Sequence, residues 1–93
     1  MRKIEEINNP NSCLNRAKYN ELIFVLLGHD VASPDTIRFW ANRRIELGRN
    51  REDDPQIVEA LALADVIELE NTKDIKKAYE AMDRLQAAIQ RHG

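Results

Sequence analysis

The segment that opens with Asp54-Pro55 constrains this chain more than any other. From position 55 to 69, apolar residues fall at nearly every helical angle: Ile57, Val58, Ala60, Leu61, Ala62, Leu63, Ala64, Val66, Ile67 and Leu69. A helix that is apolar all round is stable only when other elements cover it on every side. The segment therefore predicts a central post, with the rest of a 93-residue chain packed around it. A chain this short cannot divide its buried surface between two cores. The expectation is one helical domain over residues 1–93, with residues 1–11 as an N-terminal arm.

Local start and stop signals place the neighbouring helices. Ser33-Pro34 reads as an N-cap followed by proline at the first helical position, where its missing N–H is harmless. Gly48 ends that helix, because glycine takes the left-handed C-terminal conformation cheaply. Asp54-Pro55 repeats the start signal for a helix reaching about Glu70. Thr72 is expected to cap a last helix over 73–91, with Asp74 in its first turn and Arg91 in its last, as the macrodipole prefers. Along it Ile75, Ala78, Met82, Leu85 and Ile89 keep the spacing of a single seam. That seam is expected to pack inside the protomer, with a helical dimer interface as the alternative. Ser12 can cap a short helix through Lys18, after the turn-rich Asn8-Asn9-Pro10-Asn11.

Residues 22–27, Leu-Ile-Phe-Val-Leu-Leu, are the longest apolar run. Periodicity cannot separate a buried strand from a buried helix in such a run. No second segment resembles a strand, and a lone edge leaves backbone groups unpaired. The run is therefore read as a short buried helix stopped by Gly28. It is far short of the ~20 residues that cross a bilayer, and the start Met1-Arg2-Lys3-Ile4-Glu5-Glu6 lacks the apolar stretch of a secretory signal. The expected class is all-α, a compact bundle of about five helices, with assembly into a homo-oligomer, no membrane contact and a cytoplasmic location as further expectations.

Charge is uneven. The formal net charge is −2, yet residues 1–51 carry nine Lys/Arg against six Asp/Glu, and residues 52–93 carry five against ten. Five arginines, Arg38, Arg43, Arg44, Arg49 and Arg51, lie in and just beyond the helix that holds the sole Trp. At 100° per residue, Ile37, Trp40, Ala41, Ile45, Leu47 and Gly48 share one side, which is expected to face the core. Arg44 points between Ile37 and Trp40 and needs a buried partner, for which Asp65 and Glu68 are the candidates. On the opposite side stand Arg38, Phe39, Asn42, Arg43 and Glu46. An aromatic ring flanked by guanidinium groups suits an anionic ligand, since arginine forks onto phosphate while the ring stacks. The ligand-binding set is then Arg38, Phe39, Asn42, Arg43, Arg49 and Arg51. In the competing reading, Phe39 packs under the N-terminal segment or residues 22–27, and the arginines are only solvated.

Catalysis finds little in the sequence. His29-Asp30 are neighbours in a loop and rarely aim at one point, and no nucleophile motif accompanies them. Phosphate-loop, dinucleotide, zincin and EF-hand motifs are all missing, so neither a metal nor a cofactor is expected. Glu52-Asp53-Asp54 belongs to a helix start, where acidic residues are favourable anyway. Cys13 is the sole cysteine, so it forms no internal disulfide and reads as a small apolar residue. A helix-turn-helix built from residues 22–27 and 34–48 is a rival, weakened by a long connection and by Asp35 in the recognition helix.

Several stretches bring a family to mind: Ser12-Cys13-Leu14, Glu21-Leu22-Ile23-Phe24-Val25-Leu26-Leu27-Gly28-His29-Asp30, Ala32-Ser33-Pro34, Ile37-Arg38-Phe39-Trp40 and Glu59-Ala60-Leu61-Ala62-Leu63-Ala64. Over residues 12–68 the chain resembles short proteins of unknown function encoded in phages and prophages. In that family the residue matching Leu22 is often proline and the one matching His29 often arginine. The resemblance implies a phage setting, in which small proteins without enzyme motifs work by binding. The expected function is a non-catalytic accessory protein that sequesters a small nucleotide-type anion to counter host defence. The alternative is a protein-directed inhibitor or adaptor of a host factor, and the third reading is a small DNA- or RNA-binding regulator.

Overall fold

The computed structural model describes residues 2–90. Within them, helices run over Lys3–Asn8 (α1), Cys13–Arg16 (α2), Ser33–Glu46 (α3), Pro55–Asn71 (α4) and Ile75–Gln90 (α5). The class is all-α, and no strand is present among the described residues. The expected five-helix bundle is corrected: α2 is a single turn of four residues, leaving four longer helices. Arg91 and His92 lie outside the described residues.

Helix α4 is the post that its composition demands. It packs against α3 on one side and α5 on another, while α3 and α5 do not meet. Alanines make the close approaches: Ala41 of α3, Ala64 of α4, and Ala81 and Ala88 of α5 are all buried. Between α4 and α5, Val66, Ala81 and Leu85 form a cluster flanked by Leu63, Leu69, Met82 and Ile89. The seam on α5 thus packs within the protomer, except that Ile75 is exposed. The Cα radius of gyration is 13.6 Å, against about 12.3 Å for a closely packed chain of this length. Helices α1 and α2 pack on each other and on no other helix.

Helices α1 and α2 are knitted by side-chain bonds. Ser12 caps α2, accepting from the Asn15 amide at 3.2 Å, and donates its hydroxyl to the Glu6 carbonyl at 2.7 Å. The side-chain amide of Asn15 donates to the carbonyls of Ile7 and Asn9, both at 2.8 Å. The carbonyls left open at the end of α1 are thereby satisfied.

Residues 22–27 are not a helix and not buried. They run without regular structure, all six exposed. Gly28 lies in a turn with an ordinary φ, since among the described residues the one glycine at positive φ is Gly48. Ser33 does not cap α3 either. Ala32 takes the cap position, and the buried Ser33 hydroxyl instead donates to the Leu27 carbonyl at 2.9 Å, tying this segment to α3.

The ends of α3 and α4 share one geometry. At α3 the amides of Gly48 and Arg49 return to the carbonyls of Ile45 and Arg44. At α4 the amides of Lys73 and Asp74 return to Glu70 and Leu69. Both are Schellman endings, which need a left-handed residue. Gly48 supplies it at φ 70, but Lys73 must adopt φ 60. Thr72 thus ends α4 rather than opening the last helix. Asp74 opens α5, accepting the Lys77 amide at 3.2 Å. Replacing Lys73 with glycine removes a left-handed side-chain clash and is expected to stabilise the fold by about 1 kcal/mol. Gly48→Ala is expected to cost about the same. Urea unfolding of both variants measures the two effects, which should be opposite in sign.

Candidate functional site

The inward face of α3 is centred on Ala41, which is fully buried, with Pro34, Ile37 and Ile45 beside it. At 100° per residue, Arg38 and Arg44 flank that centre symmetrically, about 60° to either side. Including Trp40 in the inward face moved its expected centre toward Arg44. The structure corrects this: Trp40 is 44% exposed, and Arg38 shares the boundary.

Arg38 therefore makes the bridge expected of Arg44. Its Nη2 donates to Asp65 Oδ1 and to Glu68 Oε2, both at 2.8 Å, and Nη1 donates to Glu68 Oε1 at 3.3 Å. Asp35 Oδ1 stands 3.9 Å from Nη1. The fork onto Glu68 is bidentate, the strongest geometry open to arginine. Hydrogen bonding and charge from Arg38 hold the Glu68 carboxyl below its ordinary pKa. The same bonds, Glu68 first and Asp65 second, raise the Arg38 guanidinium above its usual value. An anion arriving here would have to displace two carboxylates.

Arg44 is used at the helix end. Its Nε donates to Asn50 Oδ1 at 2.6 Å, and Asn50 Nδ2 donates to Asp54 Oδ2 at 3.0 Å, linking the end of α3 to the start of α4. The Arg44 guanidinium carbon lies 6.0 Å from the Trp40 ring centroid, the outer limit for a cation–π contact. Asp54 also accepts the Arg51 amide at 3.0 Å, and these bonds hold its carboxyl below the usual range, the Arg51 amide contributing most. Asp54, the last residue of the acidic run, is thus engaged at the helix start.

On the outer face Phe39 is 70% exposed, so it packs under nothing. Asn42 and Arg43 are exposed beside it, and Arg43 Nη1 pairs with Glu46 Oε2 at 3.2 Å. Past the helix, exposed Arg51 meets Asp53 at 3.6 Å, and exposed Arg49 makes no side-chain bond among the described residues. The outer face thus keeps Phe39, Asn42 and Arg43 together, while Arg38 is turned toward α4. Sequence reading missed two neighbours. Trp40 and Leu47, 54% exposed, extend Phe39 into an apolar stripe with Thr36 and Arg43. Their spacing, 36–39–40–43–47, was the available signal, hidden because both apolar residues were taken for core.

Phe39, Trp40 and Leu47 line neither of two cavities. One of about 1270 Å³ opens between the N-terminal segment and α4–α5, and a second of about 480 Å³ beside Leu69 and Tyr79. Neither is lined by Arg38, Phe39, Asn42, Arg43, Arg49 or Arg51.

Other candidates resolve simply. Asp30 accepts the Ala32 amide at 2.9 Å in a local turn. Cys13, read as a small apolar residue, is exposed, with Arg16 Nη2 3.3 Å from its sulfur. A helix-turn-helix would need residues 22–27 as a helix, which they are not. No helix among the described residues is long and apolar enough to cross a membrane. Comparison with protein families, with characterised proteins and with solved structures finds no match to this chain.

The Arg38 fork has a pH signature. A carboxyl whose folded pKa lies below its unfolded value stabilises the fold above the unfolded pKa, and that contribution is lost as pH falls through the folded pKa. Arg38→Ala is expected to lower stability at neutral pH, and the deficit should shrink as the pH drops through the carboxylate range, below about 4. Urea midpoints of wild type and variant, measured from neutral to acid pH, follow the effect. A deficit independent of pH would assign Arg38 a packing role only.

Proposed function

We propose that this chain is a non-catalytic binding protein that docks the outer face of α3 into an apolar groove of a protein partner. The carrying observation is the stripe of Phe39, Trp40 and Leu47, exposed at helical spacing and accompanied by Arg43. Helices recognised in grooves present anchors at such spacings, and aromatic residues with arginine dominate binding energy at interfaces. Sites for small molecules are concave and enclose their ligand. A stripe on an exposed helix face, outside both cavities, favours the protein-directed reading over sequestration of a nucleotide. The expected groove is lined by aliphatic side chains and carries a carboxylate at its rim to meet Arg43, with Arg49 near enough in sequence to add charge.

In the phage or prophage setting that the resemblance implies, the partner is a host protein in the cytoplasm, and the chain acts as its inhibitor or adaptor. The nucleotide reading rests on the same exposed Phe39 beside Arg43 and makes a different prediction. Wild-type protein should retain a stoichiometric host protein, and the reconstituted pair should lose roughly 30-fold or more in affinity when Phe39→Ala and Arg43→Ala are combined. Heat on titration with cyclic or linear nucleotides, abolished by the same two substitutions, would favour the small anion instead. Undiminished partner binding by the double variant would remove the α3 face from the function.

A further inference from the structure

We propose that residues 22–27 pair with the same segment of a second copy of this chain, forming an antiparallel two-stranded ribbon on a two-fold axis. The segment runs without helix, turn or bend, and its six apolar side chains are 37–97% exposed. Among the described residues no backbone N–H or C=O of positions 22–26 has a hydrogen-bond partner. An apolar strand with an open edge is a template for pairing with another chain.

The composition of the segment states how it must be covered. Successive side chains of a strand point to opposite faces. Six apolar residues in a row therefore make both faces apolar, the pattern of a strand buried on both sides. Here the segment roofs the cavity against α4 and α5, above Leu63, Val66, Met82 and Leu85. Whichever face it turns inward, the other faces water. Leu22 and Phe24 are 97% and 85% exposed.

Surface area gives the size of the missing cover. The chain exposes 7486 Å², whereas a folded monomer of 10.8 kDa exposes about 5,500 Å². The excess is roughly 2,000 Å² per chain, to which the loosely packed N-terminal helices also contribute. An obligate homodimer removes about 1,000–2,500 Å² from each copy, a range that includes this excess.

A second copy is the occupant for two reasons. The described residues outside this segment are helices and their connections, so none of them offers a strand. The identical segment supplies one in every copy. Charge then selects the direction. Positions 22–28 are uncharged, and Glu21 stands at one end only. A parallel pair would set two Glu21 carboxylates side by side, while an antiparallel pair sends them to opposite ends and closes on a two-fold. A two-stranded ribbon alone is marginal in water, but this one has α4 and α5 of both copies beneath it. The surface is separate from the outer stripe of α3, so the two proposals fail independently.

Sedimentation equilibrium of the full chain, across the micromolar to millimolar range, is expected to give twice the 10.8 kDa chain mass. Phe24→Lys, which sets like charges near the two-fold, should return the mass to that of one chain with its helical circular dichroism unchanged, because the segment contributes no helix. Amides in positions 22–26 should exchange with solvent at least tenfold faster, on the order expected for a lost strand pair, in the variant than in the dimer. Should Phe24→Lys lose its helical signal, Val25→Pro supplies the test by removing one ladder donor. A monomer throughout the range overturns the proposal. So does a dimer whose mass and exchange are indifferent to substitution at 24 and 25, which would place the contact on helices or on another face.

Discussion

An α-helix that is apolar at nearly every angle has to be enclosed, and this chain has only two long helices to do it. α3 and α5 flank α4 without touching each other. The buried alanines on all three helices bring the axes close, which thickens contact per residue but narrows the arc that each neighbour covers. The remaining arc of α4, through Leu63, Val66 and Ile67, is roofed by residues 22–27. A Cβ placed on Gly28 would lie 4.0 Å from the Ile67 side chain, so backbone itself approaches the helix there. A roof made of consecutive apolar residues passes the burial problem outward. The conformation of residues 22–27 and their exposure thus have one origin in the composition of α4.

The Arg38 fork is the polar counterpart of that enclosure. It joins the middle of α3 to the second half of α4 from the side that alanine contacts leave open. Its carboxylates are half exposed, so desolvation is modest, and the bidentate geometry fixes the rotation of α3 more than it adds stability. That rotation turns Phe39 and Arg43 outward and brings Trp40 and Leu47 round beside them. The same ion pair removes the most central of the five arginines from any anion site and composes the stripe that a protein groove would read.

Helix starts and stops carried by Pro34, Gly48 and Pro55 were legible because they are local: proline, glycine and their immediate neighbours fix the backbone regardless of what packs on it. The end of α4 was not, since the left-handed residue there is Lys73, which carries no composition signal, and Thr72 resembles a cap from either side. The rotation of α3 turned on one residue. Tryptophan is large enough to be read as core, yet its ring lies 6.0 Å from the Arg44 guanidinium carbon and 44% of its surface stays in water. Residues 22–27 failed for a different reason. A lone strand was set aside for want of a partner and burial was assumed for a helix, whereas the segment is neither helix nor strand and lies exposed.

Pairing through this segment would also order the charge of the molecule. The basic and acidic halves invite a head-to-tail contact, basic face to acidic face, but such a contact is heterologous and repeats indefinitely unless its rotation closes. The stretch from Leu22 to Gly28 carries no charge. An interface built there is isologous, closes at two, and leaves both charged halves in water, where they oppose further growth. It also presents the outer stripe of α3 twice on one particle. A partner with two grooves in reach would then be held at the effective concentration of a tethered ligand, on the order of millimolar for a short span. A modest stripe of three apolar residues and an arginine could then serve as a firm contact without any enclosed pocket.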